Sequence, residues 1–137
     1  MRWAGEVSWV SVFASFLVGH MVGDYLLQTD WQARHKRGGL GRDPVARRAL
    51  VSHVTTYTLA FLPALIWIGD QVGAGWAVLT GALIALPHLV LDDGRFLRMY
   101  LRRVKRAETF DVGLAASVDQ SFHVLCLALA SLLLSTA

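Results

Sequence analysis

Eight residues in this chain of 137 residues form four pairs that combine histidine with aspartate or tyrosine inside apolar runs. The two members of each pair lie four positions apart, so on a helix they share one face. The pairs are His20 with Asp24, His53 with Tyr57, His88 with Asp92, and Asp119 with His123. Because ionisable side chains are costly in a bilayer interior, such residues are functional candidates by default.

Neutral imidazole and carboxylate groups are the usual protein ligands of zinc, iron and manganese. The predicted metal ligands are His20, Asp24, His53, His88, Asp92, Asp119 and His123. Seven ligands exceed the needs of one tetrahedral ion, so the set predicts one or two divalent ions, with zinc favoured over iron or manganese. If only one ion binds, the remaining carboxylates would orient its histidines. Asp93 is the candidate general base, and Tyr57 is either catalytic or a hydrogen-bonding partner.

The four pairs are expected at a common depth. With a rise of about 1.5 Å per residue, His53 lies about 8 Å beyond Arg48, and His88 lies about 10 Å before Arg95. The same rise places the other two pairs about 6–18 Å from the cytoplasmic ends of their segments. All four segments would therefore deliver polar groups to the cytoplasmic half of a membrane, which predicts one shared site.

The elements that carry these pairs are expected to be membrane-spanning helices. The chain is 55% hydrophobic and 17% charged, whereas about a quarter of the residues in soluble domains are charged. Four long apolar blocks predict an all-α integral membrane bundle forming a single domain over residues 1–137. The predicted helices cover residues 7–29, 45–68, 74–93 and 111–135. The prediction leaves open an extension of the third helix to residue 106. Pro63 predicts a kink in the second helix, and Gly19 with Gly23 predicts a close neighbour for the first.

The positive charges predict the orientation of the chain. Of the 13 Lys and Arg residues, six lie in residues 34–48 and six in residues 95–106. Because basic loops stay in the cytoplasm, both termini are expected on the non-cytoplasmic side. These clusters lack interleaved aromatic residues, so nucleic acid is not an expected partner. Membrane lipids, and an anionic headgroup or a lipid-linked substrate, are the expected partners, and a homo-oligomer is left open.

Most of the chain is covered by four motifs. They are Gly19-His20-x-x-Gly23-Asp24-Tyr25-Leu26-Leu27-Gln28-Thr29-Asp30-Trp31, His53-x-x-x-Tyr57, His88-x-x-x-Asp92 and Asp119-Gln120-x-x-His123. The set resembles an uncharacterised family of small four-helix bacterial inner-membrane proteins. The resemblance implies a multi-pass protein of the inner (cytoplasmic) membrane and no settled activity. The arrangement is also similar in style to membrane-bound metal-dependent hydrolases, which place histidine and aspartate at helix ends.

The sequence favours a metal-dependent hydrolase that acts on a lipid-linked or amphiphilic substrate from the cytoplasmic side, because this function uses all seven ligands. One alternative is a metal-ion or proton transport subunit, although the outer half lacks a continuing polar path. A second alternative is a redox protein; the aspartates at i+4 argue against haem and leave non-haem iron open. A third alternative is a structural accessory subunit, whose polar network fixes helix packing.

Overall fold

The computed structural model describes residues 8–109 and 111–137. These residues form helices and no strand, which confirms the predicted all-α class. Residue 7, the predicted start of the first helix, lies outside the described residues. The helices are α1 (Trp9–Met21), which continues as a π-helical turn (Val22–Leu26), α2 (Asp30–His35), α3 (Pro44–Leu59), α4 (Leu62–Val72), α5 (Ala74–Asp92), α6 (Arg95–Arg103) and α7 (Val112–Leu134).

Three helical segments in the described part of the chain are long and apolar enough to cross a membrane, namely α1 with its π-helical turn, α5 and α7. Helices α3 and α4 meet the same criterion only as a pair, and they are bent by 52° at their break. Pro63 explains the break, because it has no N–H to donate to the carbonyl of Leu59. The described chain thus has three candidate spans, or four if the bent pair is one span. The four-span bundle and the non-cytoplasmic termini stay predictions.

The outer faces of the candidate spans are apolar. Val18 of α1, Val78 of α5 and Leu129 of α7 each expose more than half of their surface. Large exposed apolar patches are rare on soluble monomers and mark contact with a membrane or a partner. The exposed faces therefore agree with the apolar composition in favouring a lipid environment.

The buried core lies between α1, α3, α4, α5 and α7. Its members are Val12, Phe16, Tyr57, Phe61, Ala64, Ile68, Ile84, Leu127, Ala130 and Leu134. The predicted close neighbour of Gly19 and Gly23 is the α3–α4 segment. A Cβ atom built on Gly19 would lie 2.9 Å from the ring of Phe61, and one on Gly23 would lie 2.6 Å from the ring of Tyr57. Glycine at both positions lets the end of α1 approach α3.

The first basic loop contains a helix that the prediction did not include. Helix α2 begins after Thr29, whose hydroxyl accepts from the backbone N–H of Gln32, while the Gln32 side chain accepts from the backbone N–H of Thr29. This reciprocal arrangement is a capping box, and Thr-x-x-Gln is its sequence signature. The short helix packs against α3 and ends just before Lys36, whose ammonium group contacts Asp92.

The third predicted segment does not continue as one helix to residue 106. Helix α5 ends at Asp92, and the chain restarts as α6 after Gly94, which has a φ of +77°. Only glycine adopts this left-handed conformation without a steric penalty. The break lets α6 leave the axis of α5, so the basic residues 95–103 are not part of the third candidate span.

Replacing Gly94 by alanine is expected to lower the free energy of unfolding by about 1–2 kcal/mol, the cost of a left-handed alanine. The added methyl group would not clash with its neighbours, because its Cβ would lie 3.5 Å from the nearest atom, which belongs to Arg37. Gly94→Asn should cost less, since asparagine tolerates this conformation better. Thermal unfolding in detergent measures the expected order of stability, with glycine highest, then asparagine, then alanine. Equal stability of the alanine and glycine forms would contradict it.

Candidate metal centre

Four side chains from three different parts of the chain converge on one point. Asp24 comes from the π-helical turn after α1, His53 from α3, and His88 with Asp92 from α5. One ligand atom from each lies within 4.8 Å of the corresponding atoms of the other three. Their side chains are at most 8% exposed. We call this group the four-ligand cluster.

Five separations between ligand atoms of the four-ligand cluster, 2.9–3.5 Å, lie near the edge length of a tetrahedral metal site. Nε2 of His53 lies 3.2 Å from Oδ1 of Asp24 and 2.9 Å from Oδ2 of Asp92. Nε2 of His88 lies 3.5 and 3.1 Å from the same two oxygens, and 3.1 Å from Nε2 of His53. A tetrahedron with metal–ligand bonds of about 2.0–2.1 Å has edges of about 3.3–3.4 Å. The four atoms are therefore placed to hold one ion.

The chemistry of the donor set also fits a cation. Oδ1 of Asp24 is buried and has no hydrogen-bond partner among the described residues. A buried carboxylate oxygen without a partner is costly, and a metal ion would satisfy it. Two neutral imidazoles and two carboxylates match the ligand preferences of zinc, iron and manganese. The two carboxylates also balance the charge of one divalent ion.

A second group adjoins the first and shares one residue with it. Asp92, Asp119 and His123 each offer a ligand atom within 4.8 Å of the others, and we call them the three-ligand cluster. Nε2 of His123 lies 3.5 Å from Oδ1 of Asp92, whereas Oδ2 of Asp92 faces the four-ligand cluster. Asp92 is therefore the link between the two groups.

The seventh predicted ligand, His20, lies beside these groups and is not a member of either. Its Nε2 donates to Oε1 of Gln120 at 2.9 Å, and its Nδ1 accepts from the hydroxyl of Tyr57 at 3.1 Å. The same Nδ1 lies 3.4 Å from Oδ2 of Asp24. Both ring nitrogens of His20 therefore have protein partners, and His20 borders the four-ligand cluster without belonging to either group.

Tyr57 touches the site through both its ring and its hydroxyl. The ring stacks on His88 with 3.4 Å between centroids and an interplanar angle of 5°, while the hydroxyl reaches His20. The side chain is almost fully buried. Tyr57 thus fixes the orientation of two histidines, which agrees with the hydrogen-bonding role considered for it.

Asp93, the predicted general base, is buried but faces away from both clusters. Its Oδ1 accepts from the backbone N–H of Leu40 at 2.8 Å, and its Oδ2 lies 3.3 Å from Nε of Arg95. Its backbone carbonyl accepts from the N–H of Gly38. Because both carboxylate oxygens serve these contacts, Asp93 fixes the first basic loop against the end of α5, and the geometry does not place it as a base for the site.

Three features of the site were not assigned from the sequence. The ammonium group of Lys36 donates to Oδ2 of Asp92 at 2.8 Å, and no spacing pattern connects residues 56 positions apart. The amide nitrogen of Gln28 lies 3.2 Å from Nδ1 and 3.0 Å from Nε2 of His53. No sequence pattern predicts the π-helical turn that carries Asp24, although such turns are frequent at functional sites.

A family model described as "Protein of unknown function (DUF3307)" matches residues 12–137, a range that includes every residue of both clusters. No curated protein and no solved structure matches the chain.

Proposed function

Since the chain belongs to the DUF3307 family, an uncharacterised family, we propose its function from the chemistry of the site: a membrane-embedded, metal-dependent hydrolase. It acts on a lipid-linked or amphiphilic substrate from the cytoplasmic side. The observation that carries this proposal is the convergence of Asp24, His53, His88 and Asp92 at tetrahedral separations. An ion held there would lower the pKa of bound water towards neutrality, which is the basis of metal-dependent hydrolysis.

Zinc is the ion we favour, because the cluster combines two imidazoles with two carboxylates in a tetrahedron. Iron and manganese accept the same donors. The residues around the ligands would maintain the geometry, since the Gln28 amide lies 3.2 Å from Nδ1 of His53 and the Tyr57 ring stacks on His88. Metal-ligating histidines usually have such supporting partners.

The basic helix α6 supports an anionic substrate. It begins three residues after Asp92, and Phe96 and Tyr100 pack against Phe122 of α7 with ring centroids 4.9 Å apart. On another face of the same helix, an open surface pocket of about 300 Å³ is lined by Arg95, Arg98, Met99, Arg102 and Arg103. Arginine clusters at a membrane surface attract anionic headgroups.

We place the protein in the inner (cytoplasmic) membrane as a multi-pass protein with four spans and both termini outside the cytoplasm. The three or four candidate spans and the two basic segments support this placement. Membrane lipids are then its immediate surroundings, and a homo-oligomer would cover part of the exposed apolar surface.

One observation favours a second candidate function, a metal-free proton-transfer network. Lys36 already pairs with Asp92 at 2.8 Å, so part of the buried negative charge is balanced without an ion. Against this candidate, the described contacts of Lys36 include only one of the two carboxylates, Asp92, and Oδ1 of Asp24 has no hydrogen-bond partner among the described residues. A metal ion would satisfy both carboxylates.

Metal analysis tests the proposal. The wild-type protein, purified in detergent without chelators, is expected to contain a divalent ion in stoichiometric amount. Removing the ion with a chelator should abolish hydrolysis of a panel of phospholipid and lipid-phosphate substrates, and adding zinc should restore it. Protein that contains no metal and takes up neither zinc, iron nor manganese would refute the proposal.

A further inference from the structure

We propose that a second divalent cation binds in the three-ligand cluster of Asp92, Asp119 and His123, sharing Asp92 with the first ion. This inference rests on the proposed function, which requires only the four-ligand cluster. The second ion would be the one with coordination positions left open for water and substrate.

The first step of the argument concerns the protonation of His123. Its Nδ1 lies 2.8 Å from the backbone carbonyl oxygen of Asp119. A carbonyl oxygen only accepts hydrogen bonds, so Nδ1 carries the proton. In the neutral ring, Nε2 therefore presents a lone pair, which is the form of histidine that binds metals. A backbone carbonyl holding the other ring nitrogen is also the usual support of a metal-ligating histidine.

The second step is that this lone pair has no partner. Nε2 of His123 is buried and makes no hydrogen bond with the described residues. It faces Oδ1 of Asp92 at 3.5 Å, which exceeds the 2.7–2.9 Å or so of a charge-assisted hydrogen bond. Two electron-rich atoms at this separation match two ligands of one ion with bonds of about 2.0–2.2 Å.

The third step is the role of Asp92 as a bridge. Its Oδ2 lies near both histidines of the four-ligand cluster, and its Oδ1 lies near His123. A carboxylate that presents one oxygen to each of two groups can bridge two ions. Bridged ions in two-metal enzymes lie about 3.5–4 Å apart and act together on the attacking and leaving oxygens.

The two clusters differ in accessibility. The four-ligand cluster supplies four protein ligands from side chains that are at most 8% exposed, which resembles a closed site. The three-ligand cluster supplies three, and the side chain of Asp119 is 22% exposed. Catalytic zinc sites typically have three protein ligands and one position for water. The accessible ion is thus the one suited to hold the reacting water.

The charge of the site predicts the order of binding. Asp24, Asp92 and Asp119 carry three negative charges, and Lys36 balances one of them. One divalent ion balances the other two, whereas a second ion leaves an excess of two positive charges. An anionic ligand such as hydroxide or a phosphate group would balance this excess. We therefore expect the second ion to bind more weakly than the first.

Titration with Mn²⁺ alone, followed by electron paramagnetic resonance, tests the inference in the full-length detergent-solubilised protein. The first equivalent should give the spectrum of an isolated ion, and the second should give an exchange-coupled pair. His123→Ala should bind one ion and show no coupling. Asp119→Asn, which alters a partly exposed residue and is less disruptive, should weaken the second binding step. His35→Ala is the matched control, because His35 is an exposed histidine that contacts only Trp31 in the described contacts.

The outcomes separate the two proposals. If the wild type binds one ion at saturating Mn²⁺, or if both His123→Ala and Asp119→Asn retain the coupled pair, the second site is refuted while the hydrolase proposal stands. If the wild type binds no ion at all, both are refuted. Two ions in the wild type and in His35→Ala, with one in His123→Ala, support the second site.

Discussion

Asp92→Asn is expected to lower metal affinity by about 100-fold or more, the upper end of the effect of disturbing a ligand's supporting contacts. Asp92 lies within 3.1 Å of both histidines of the four-ligand cluster and also faces His123. Asparagine keeps the shape of the side chain but offers one neutral oxygen. The variant also leaves Lys36 without its carboxylate partner, and losing one partner of a buried pair costs about 3–5 kcal/mol.

Asp93→Asn is the matched control for this prediction. Asp93 is the adjacent residue and is buried as completely as Asp92, but its carboxylate contacts Leu40 and Arg95. We expect normal metal binding and a loss of about 1–3 kcal/mol in the free energy of unfolding, from the weakened contacts. Isothermal titration with zinc and thermal unfolding measure the two quantities. Loss of metal in Asp93→Asn with retention in Asp92→Asn would reverse the assignment and restore Asp93 as the site residue.

Gly23→Ala is expected to disturb both the packing and the site. The added Cβ would lie 2.6 Å from Cδ2 of Tyr57 and 3.2 Å from its Cα. The ring of Tyr57 has little freedom to move, because it is stacked on His88. The π-helical turn would instead shift away from α3 and carry Asp24 with it. Overpacking of this kind costs about 1–3 kcal/mol, and displacement of a ligand should lower metal affinity by about 10–100-fold.

Gly81→Ala provides the comparison, since Gly81 also lies in a candidate span. An added Cβ there would meet only Leu65 at 3.5 Å, an ordinary contact. Its stability should be unchanged or raised by up to about 1 kcal/mol, because alanine favours the helix over glycine. Thermal unfolding and zinc titration of the two variants measure the difference. If Gly23→Ala behaves like Gly81→Ala, the close approach of α1 and α3 does not maintain the site.

The helical class and the candidate ligands of the two clusters follow from short-range rules that the sequence displays directly. Apolar blocks of spanning length specify helices, since these satisfy their own backbone hydrogen bonds in lipid. The i, i+4 spacing specifies which residues share a face. His88 and Asp92 are one turn apart on α5, and they are neighbours at the site. The common depth estimated from the basic loops is sufficient to expect one shared site.

The tertiary structure was needed for two kinds of feature: the direction in which a helix turns each side chain, and contacts between segments that are far apart in the chain. Asp92 and Asp93 are adjacent in sequence, but consecutive helical residues point about 100° apart, and here α5 ends between them. Asp92 therefore faces the ligands while Asp93 faces the first basic loop. His20 shares a face with Asp24, yet contacts from Tyr57 and Gln120 occupy both of its ring nitrogens.

What the sequence determined by itself is the helical class, the apolar segments and the set of residues with metal-ligand chemistry, because these depend on residue type and on separations of a few positions. Only the tertiary structure decided how that set divides into two clusters, that Asp92 belongs to both, and that Lys36 pairs with Asp92. Those features arise from packing between segments that are far apart in the chain, and such packing has no local pattern. Six of the seven predicted metal ligands lie in the two clusters, and their arrangement was not predicted.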